Sequence, residues 1–137
     1  MGAANSYEEI RASVRALCAQ FPGSYWRELD RERAYPTHFV EALTKAGFLS
    51  ALIPEEYGGS GLPLSAAAAI LEEVQAAGCN GAACHAQMYM MGTLLRHGSA
   101  AQKQKYLPEI ATGKIRLQAF GVTEPASGTD TLNIATT

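Results

Sequence analysis

The sequence predicts a mainly all-α fold, a bundle-like helical domain with a short β segment at its carboxyl end. Two observations carry this. Between Tyr7 and Thr112, apolar residues recur at three- and four-residue steps, interrupted by Pro, Gly and Ser. At Ile115 the period changes to two, because Ile115, Leu117 and Ala119 alternate with Arg116, Gln118 and Phe120. The expected division is residues 1–113 as the α-helical domain and 114–137 as the start of a β-domain.

Each element has its own justification. Tyr7, Ile10, Val14, Leu17 and Phe21 line a first helix, with Asn5 or Ser6 as its cap and Pro22-Gly23 as its stop. A shorter, charged helix follows from about Trp26 to Arg33. Pro36 suits the first turn of a third helix, lined by Phe39, Val40, Leu43 and Ala46, and Gly47 suits its left-handed end. Phe48 to Ile53 is an apolar connector, and residues 54–61 form a glycine-rich loop. An alanine-rich helix runs from Ser65 to about Ala77 with Glu72 outward. A long apolar helix spans about Asn80 to Arg96 and ends at Gly98. Ser99 and Gln102 have capping-box spacing, so a last helix runs to Thr112 and closes at Gly113. Ile115 to Phe120 reads as a half-buried strand, and Leu132 to Ile134 as the opening of another.

Composition narrows the function classes. The chain has 137 residues, 47% of them hydrophobic and 18% charged, with a net charge of −2. A globular core is therefore expected, and a long-range pull toward nucleic acid or anionic lipid is not. No apolar run is long enough to span a bilayer, since the longest covers Ala66 to Leu71. The amino terminus has neither a secretory nor a transit pattern. Met1 to Ser6 matches the myristoylation pattern, but no polybasic segment follows and one acyl chain anchors weakly. Cys18, Cys79 and Cys84 lack a disulfide-framework spacing, which favours a reducing compartment and a cytoplasmic location. Cys79, Cys84 and His85 have no second ligand pair at metal-site spacing, so the thiols read as structural and no metal is expected.

The stretch from Ala119 to Asp130 is the candidate for chemistry. Pro125 cannot donate to a sheet ladder, so pairing should end there. Ala126, Ser127, Gly128 and Thr129 put little bulk above the main chain, and their N–H groups and hydroxyls could meet a pyrophosphate or a ring edge. Glu124 and Asp130 have the wrong sign for a bare anion site, which leaves neutral donors to do the binding. A plain turn in which Asp130 satisfies its own backbone fits the same residues. The loop from Tyr57 to Gly61 lacks the Lys and Ser/Thr ending of a P-loop and reads as a structural turn. Met88, Tyr89, Met90 and Met91 form an adaptable apolar cluster, while His85 and His97 lack any nucleophile or metal partner at a recognisable spacing.

Three segments in order give a resemblance that covers essentially the whole chain: Ile53-Pro54-Glu55-Glu56-Tyr57-Gly58-Gly59-Ser60-Gly61, then Gly98 to Pro108, then Val122 to Asp130. The chain resembles the N-terminal part of the acyl-CoA dehydrogenases. The resemblance implies an FAD-dependent flavoprotein that oxidises an acyl-CoA to its trans-2-enoyl form, with an electron-transfer flavoprotein or similar acceptor and a homo-oligomeric full-length enzyme. It implies that Phe120, Gly121, Val122 and Thr123 lie against the flavin, that Gly128 and Thr129 approach the FAD pyrophosphate, and that Thr129 also contacts the thioester substrate. Thr129 stands where serine is commoner, and Ala126 where glycine is commoner. The helical layer around Met88 to Met91 would help wall the acyl pocket. No residue of this chain is expected to be the catalytic base, because the resemblance puts that glutamate in a C-terminal helical domain; Glu124 belongs to the cofactor loop. The polypeptide alone is therefore expected to be inactive and to bind FAD poorly. A related acyl-CoA oxidase or flavin monooxygenase shares these features, and a non-catalytic helical interaction module is the reading from another class.

Overall fold

The computed structural model describes residues 7–119 and 121–136. Six α-helices are present among them: α1 (Glu8–Cys18), α2 (Gly23–Glu32), α3 (Thr37–Lys45), α4 (Leu64–Ala76), α5 (Ala82–His97) and α6 (Ala100–Ala111). The expected caps Asn5 and Ser6 lie outside the described residues. Tyr7 occupies the N-cap of α1 in a left-handed conformation at φ 69°, without a side-chain cap, and its hydroxyl meets Ser65 Oγ at 2.8 Å.

Most predicted apolar positions enter one core. Val14, Phe39, Val40, Leu43, Ile70, Val74, Met91, Leu107 and Ile110 are all buried. The charged helix α2 has no fully buried residue, yet Tyr25 and Trp26 join Phe21 and Phe39 in a chain of edge-to-face contacts with centroids 5.0–5.1 Å apart. Such pairs contribute about 0.5–1.5 kcal/mol each beyond their buried area. In α6 the capping box forms as the spacing predicts. Gln102 N donates to Ser99 Oγ at 3.2 Å, and Ser99 N donates to Gln102 Oε1 at 2.8 Å. Gly47 and Gly113 end their helices at φ +80° and +75°.

Helix α1 lies along α4, where small side chains at Ala66, Ala67 and Ala69 are buried. Charges border this contact. Arg11 donates to Glu73 at 2.8 Å and pairs with Glu72 at 2.6 Å, and Arg15 reaches Glu73 at 3.1 Å and also Glu8. Glu72 points outward as expected, but Glu73 keeps only 12% side-chain exposure. Its hydrogen bond from Arg11, reinforced by Arg15, holds the Glu73 carboxyl below its usual 4.5. A depressed carboxyl stabilises the fold above the unfolded-state value and loses that contribution as pH falls through the folded one. Glu73→Gln should therefore lower the denaturant midpoint at pH 7, and the gap from the parent should close as pH drops below 4.5. Equal gaps at pH 7 and pH 3 would show that the carboxylate charge is not what matters.

Residues 54–61 form the structural turn that their composition predicts. Gly61 N donates to Ile53 O at 2.8 Å, Leu62 N to Ala51 O at 2.8 Å and Gly59 N to Pro54 O at 3.2 Å. The backbone folds over buried Ile53 through a 3₁₀ turn at Glu55–Tyr57.

The period-two segment is a correction. No strand exists among the described residues, and the one β-bridge joins Glu124 to Ser127. Ile115 to Ala119 is irregular chain, mostly half-buried on the helices, rather than a member of a ladder. Ile115 N donates to Glu109 O at 3.1 Å, Arg116 to Thr44 Oγ1 at 3.0 Å, and Tyr35 Oη to Gln118 Oε1 at 2.9 Å. Alternation makes a strand only where a neighbouring strand takes up its backbone groups. The second expected strand is a 3₁₀ turn, Thr131–Asn133, with Leu132 94% exposed.

Candidate functional site

The candidate site is the loop after the helical domain. Glu124 N donates to Ser127 O at 2.8 Å and Ser127 N returns to Glu124 O at 3.2 Å, which closes a tight turn over Pro125 and Ala126. Ala126 has no positive φ, so alanine introduces no backbone strain where the related pattern has glycine. Ser127 is 4% exposed, and its hydroxyl donates to Asp130 O. That hydroxyl braces the loop from inside and is not offered outward, contrary to the expectation that it could meet a ligand. The Asp130 carboxylate accepts from the Asn133 side chain.

The residues outside this brace are open. Gly121, Thr123, Gly128 and Thr129 are exposed and Val122 is half-buried. Neighbours in the chain aside, a Cβ built at Gly121 or Gly128 meets no atom of the described residues within 4 Å. Phe120, also expected at the flavin, lies outside the described residues. The small-residue stretch is thus an accessible shelf of main chain, not a segment packed beneath helices. Thr129 is exposed there, and the stretch holds no Lys or Arg, so a phosphate would be met by main-chain amides and hydroxyls alone. These features fit the diphosphate and ring edge of a dinucleotide, which such backbone donors can approach closely.

Glu124 is engaged within the loop region itself. Its carboxylate accepts from Ala135 N and Thr136 N, each at 2.9 Å, and from the Thr136 hydroxyl. The Ala135 amide, followed by Thr136, holds this carboxyl below its usual 4.5. A carboxylate engaged by three donors on its own chain is poorly suited to proton abstraction. No pattern in the sequence marked Ala135 or Thr136 as its partners.

On the helical side, Met88 and Met91 are both buried in the core, and Met88 also borders, with Tyr89, an apolar groove of about 290 Å³ between α4 and α5. His85 stands exposed at its rim with its ring 5.3 Å from that of Tyr89. Met90 and His97 border a separate groove that reaches Leu117. The Met cluster therefore divides between the core, at Met88 and Met91, and two grooves, at Tyr89 and Met90.

Cys18, Cys79 and Cys84 are buried free thiols, as their spacing predicts, and no group of metal-holding side chains occurs among the described residues. Burial pushes Cys84 up to about 12, and burial followed by the neighbouring Cys79 does the same to Cys18. A thiol at that value is about one part in ten thousand thiolate at pH 8. Dithiobisnitrobenzoate at pH 8 should leave these thiols unreacted in the folded chain and titrate all three after denaturation. Rapid labelling of the folded chain would overturn the burial.

A family model for the acyl-CoA dehydrogenase N-terminal domain matches residues 5–114. Cyclohex-1-ene-1-carbonyl-CoA dehydrogenase of Syntrophus aciditrophicus (strain SB) is 34% identical over 110 residues, 80% of this chain and 27% of that protein. The crystal structure of an acyl-CoA dehydrogenase from Bacillus anthracis complexed with FAD has a TM-score of 0.70 at 28% identity and covers 96% of this chain and 23% of that one. That of the prolyl acyl carrier protein oxidase AnaB has a TM-score of 0.75 at 26% identity, covering 93% and 35%. The chain spans about a quarter to a third of the length of these relatives. No helix among the described residues is long and apolar enough to cross a membrane. With a matched helical domain, the same architecture in solved relatives and the three motifs in order, the chain belongs to the acyl-CoA dehydrogenase family.

Proposed function

We propose that this chain is the N-terminal portion of an FAD-dependent acyl-CoA dehydrogenase acting on acyl-CoA thioesters in the cytoplasm. Residues 1–113 would form its helical domain and 114–137 the start of a β-domain. The observation that carries the reading is the open shelf at Gly128 and Thr129: both residues are exposed, and a Cβ built at Gly128 meets no atom of the described residues within 4 Å.

In this reading Phe120, Gly121, Val122 and Thr123 hold the flavin ring. Gly128 and Thr129 hold the pyrophosphate, and Thr129 also meets the substrate thioester. When bound, FAD supplies the acceptor for the β-hydrogen, which leaves as hydride. The chain's own contribution is orientation of the cofactor. The helical groove beside Met88 and Tyr89 would exclude water from the acyl group. None of the residues here serves as catalytic base, so the isolated polypeptide would be inactive and would hold FAD weakly. The working enzyme would be a homo-oligomer that passes electrons to an electron-transfer flavoprotein or a similar acceptor.

The likeness to AnaB favours one second reading, a related oxidase on the same scaffold. One experiment separates them. The complete enzyme should be yellow when purified and should reduce an artificial dye anaerobically with an acyl-CoA, while consuming little oxygen. Fast peroxide formation would establish the oxidase instead, and a colourless, inactive enzyme after FAD addition would defeat both.

A further inference from the structure

We infer that Glu124 is a positioning residue, a carboxylate clamp that closes the loop from Pro125 to Asn133 and so presents Gly128 and Thr129 to the ligand. The inference rests on the proposed reading of that loop as a flavin site.

Four observations carry it. The Glu124 carboxylate receives the consecutive amides of Ala135 and Thr136, one on each oxygen at 2.9 Å, together with the Thr136 hydroxyl. The Glu124 main chain bonds Ser127 in both directions, so one residue anchors the start of the loop and its return. Inside that closure the bonds are short-range: Ser127 Oγ to Asp130 O, Thr131 N to Thr129 O at 3.0 Å and Asn133 N to Asp130 O at 3.2 Å. The helices play little part, since Gly128, Thr129 and Leu132 are all exposed. A loop with so little buried apolar surface depends on such closing bonds for its shape. Those to an ionised acceptor are the stronger kind. The orientation of the Gly128 and Thr129 backbone thus depends on the Glu124 carboxylate, which ties the return of the loop to its start.

The test is Glu124→Gln beside Glu124→Asp. A glutamine keeps one acceptor oxygen and turns an NH₂ group toward a backbone N–H, which cannot pair. Amide hydrogen exchange by NMR on this chain reads the clamp without any flavin. Protection at Ala135 and Thr136 should fall at least about tenfold in Glu124→Gln, with partial recovery in Glu124→Asp. The thermal midpoint of the helical domain should not move. In the complete enzyme, FAD should bind at least about tenfold more weakly to Glu124→Gln. Unchanged exchange at both amides would overturn the clamp. Lost protection with unchanged FAD affinity would overturn its role in presentation. In that event Gly128→Val decides what else falls. If that variant also keeps its flavin, the loop is not the cofactor site; if it loses flavin, only the inference about Glu124 fails.

Discussion

Gly59→Ala should destabilise the helical domain by about 3 kcal/mol or more, a loss of about 10 °C in thermal midpoint. A Cβ at this position would stand 2.1 Å from Ile53 O and 2.5 Å from Ile53 Cβ. Neither neighbour can retreat. Ile53 is completely buried, and its carbonyl accepts from Gly61 N. Relief would require the turn to peel away from the core and strand the bonds that hold residues 54–61. Gly47 offers the control: it is left-handed at φ +80°, but a Cβ there meets nothing. Gly47→Ala should cost only about 1 kcal/mol, the price of the conformation alone. Thermal unfolding of both variants followed by circular dichroism checks the ranking, and equal losses would remove the steric argument.

The second large effect is expected on the cofactor and not on the fold. Gly128→Val should leave the thermal midpoint of the helical domain unchanged, because the added branch enters open space and Gly128 is not among the positive-φ residues. In the complete enzyme the same substitution should cut bound FAD more than about tenfold, since a branched side chain occupies the volume through which a pyrophosphate must approach. The two results together are diagnostic. A general folding defect would lower both quantities, whereas obstruction of the ligand lowers only the second. Normal flavin content, read from the absorbance ratio of the purified variant, would exclude Gly128 from the site.

Much of the fold was legible because helices declare themselves locally. The capping box at Ser99 and Gln102, the left-handed stops at Gly47 and Gly113, and the core positions from Val14 to Ile110 all follow from short-range rules. What was misread depends on distant partners. Ile115 to Ala119 has the alternation of a strand, but its polar side chains find Thr44 and Tyr35 on the helical domain. Leu132 looks like half of a strand and stands in a 3₁₀ turn. In the candidate site, the openness of Gly128 and Thr129 agrees with their small size. The inward hydroxyl of Ser127 and the carboxylate grip of Glu124 on Ala135 and Thr136 do not follow from any local pattern. Ala135 lies eleven positions beyond Glu124, and residue type alone does not say which amides a carboxylate will choose. The salt-linked contact between α1 and α4 was hidden for the same reason.

Gln87 has a consequence for how α5 sits. It is fully buried, and its Nε2 donates to Leu49 O at 3.0 Å while Oε1 has no partner among the described residues. Amid aliphatic and sulfur-bearing neighbours that could slip past one another, this one amide indexes the rotation of the helix about its axis. Turning α5 would leave the Leu49 carbonyl dry and unmatched, a penalty that greasy contacts do not impose. The bond therefore acts as an angular key, keeping Tyr89 toward one groove and Met90 toward the other.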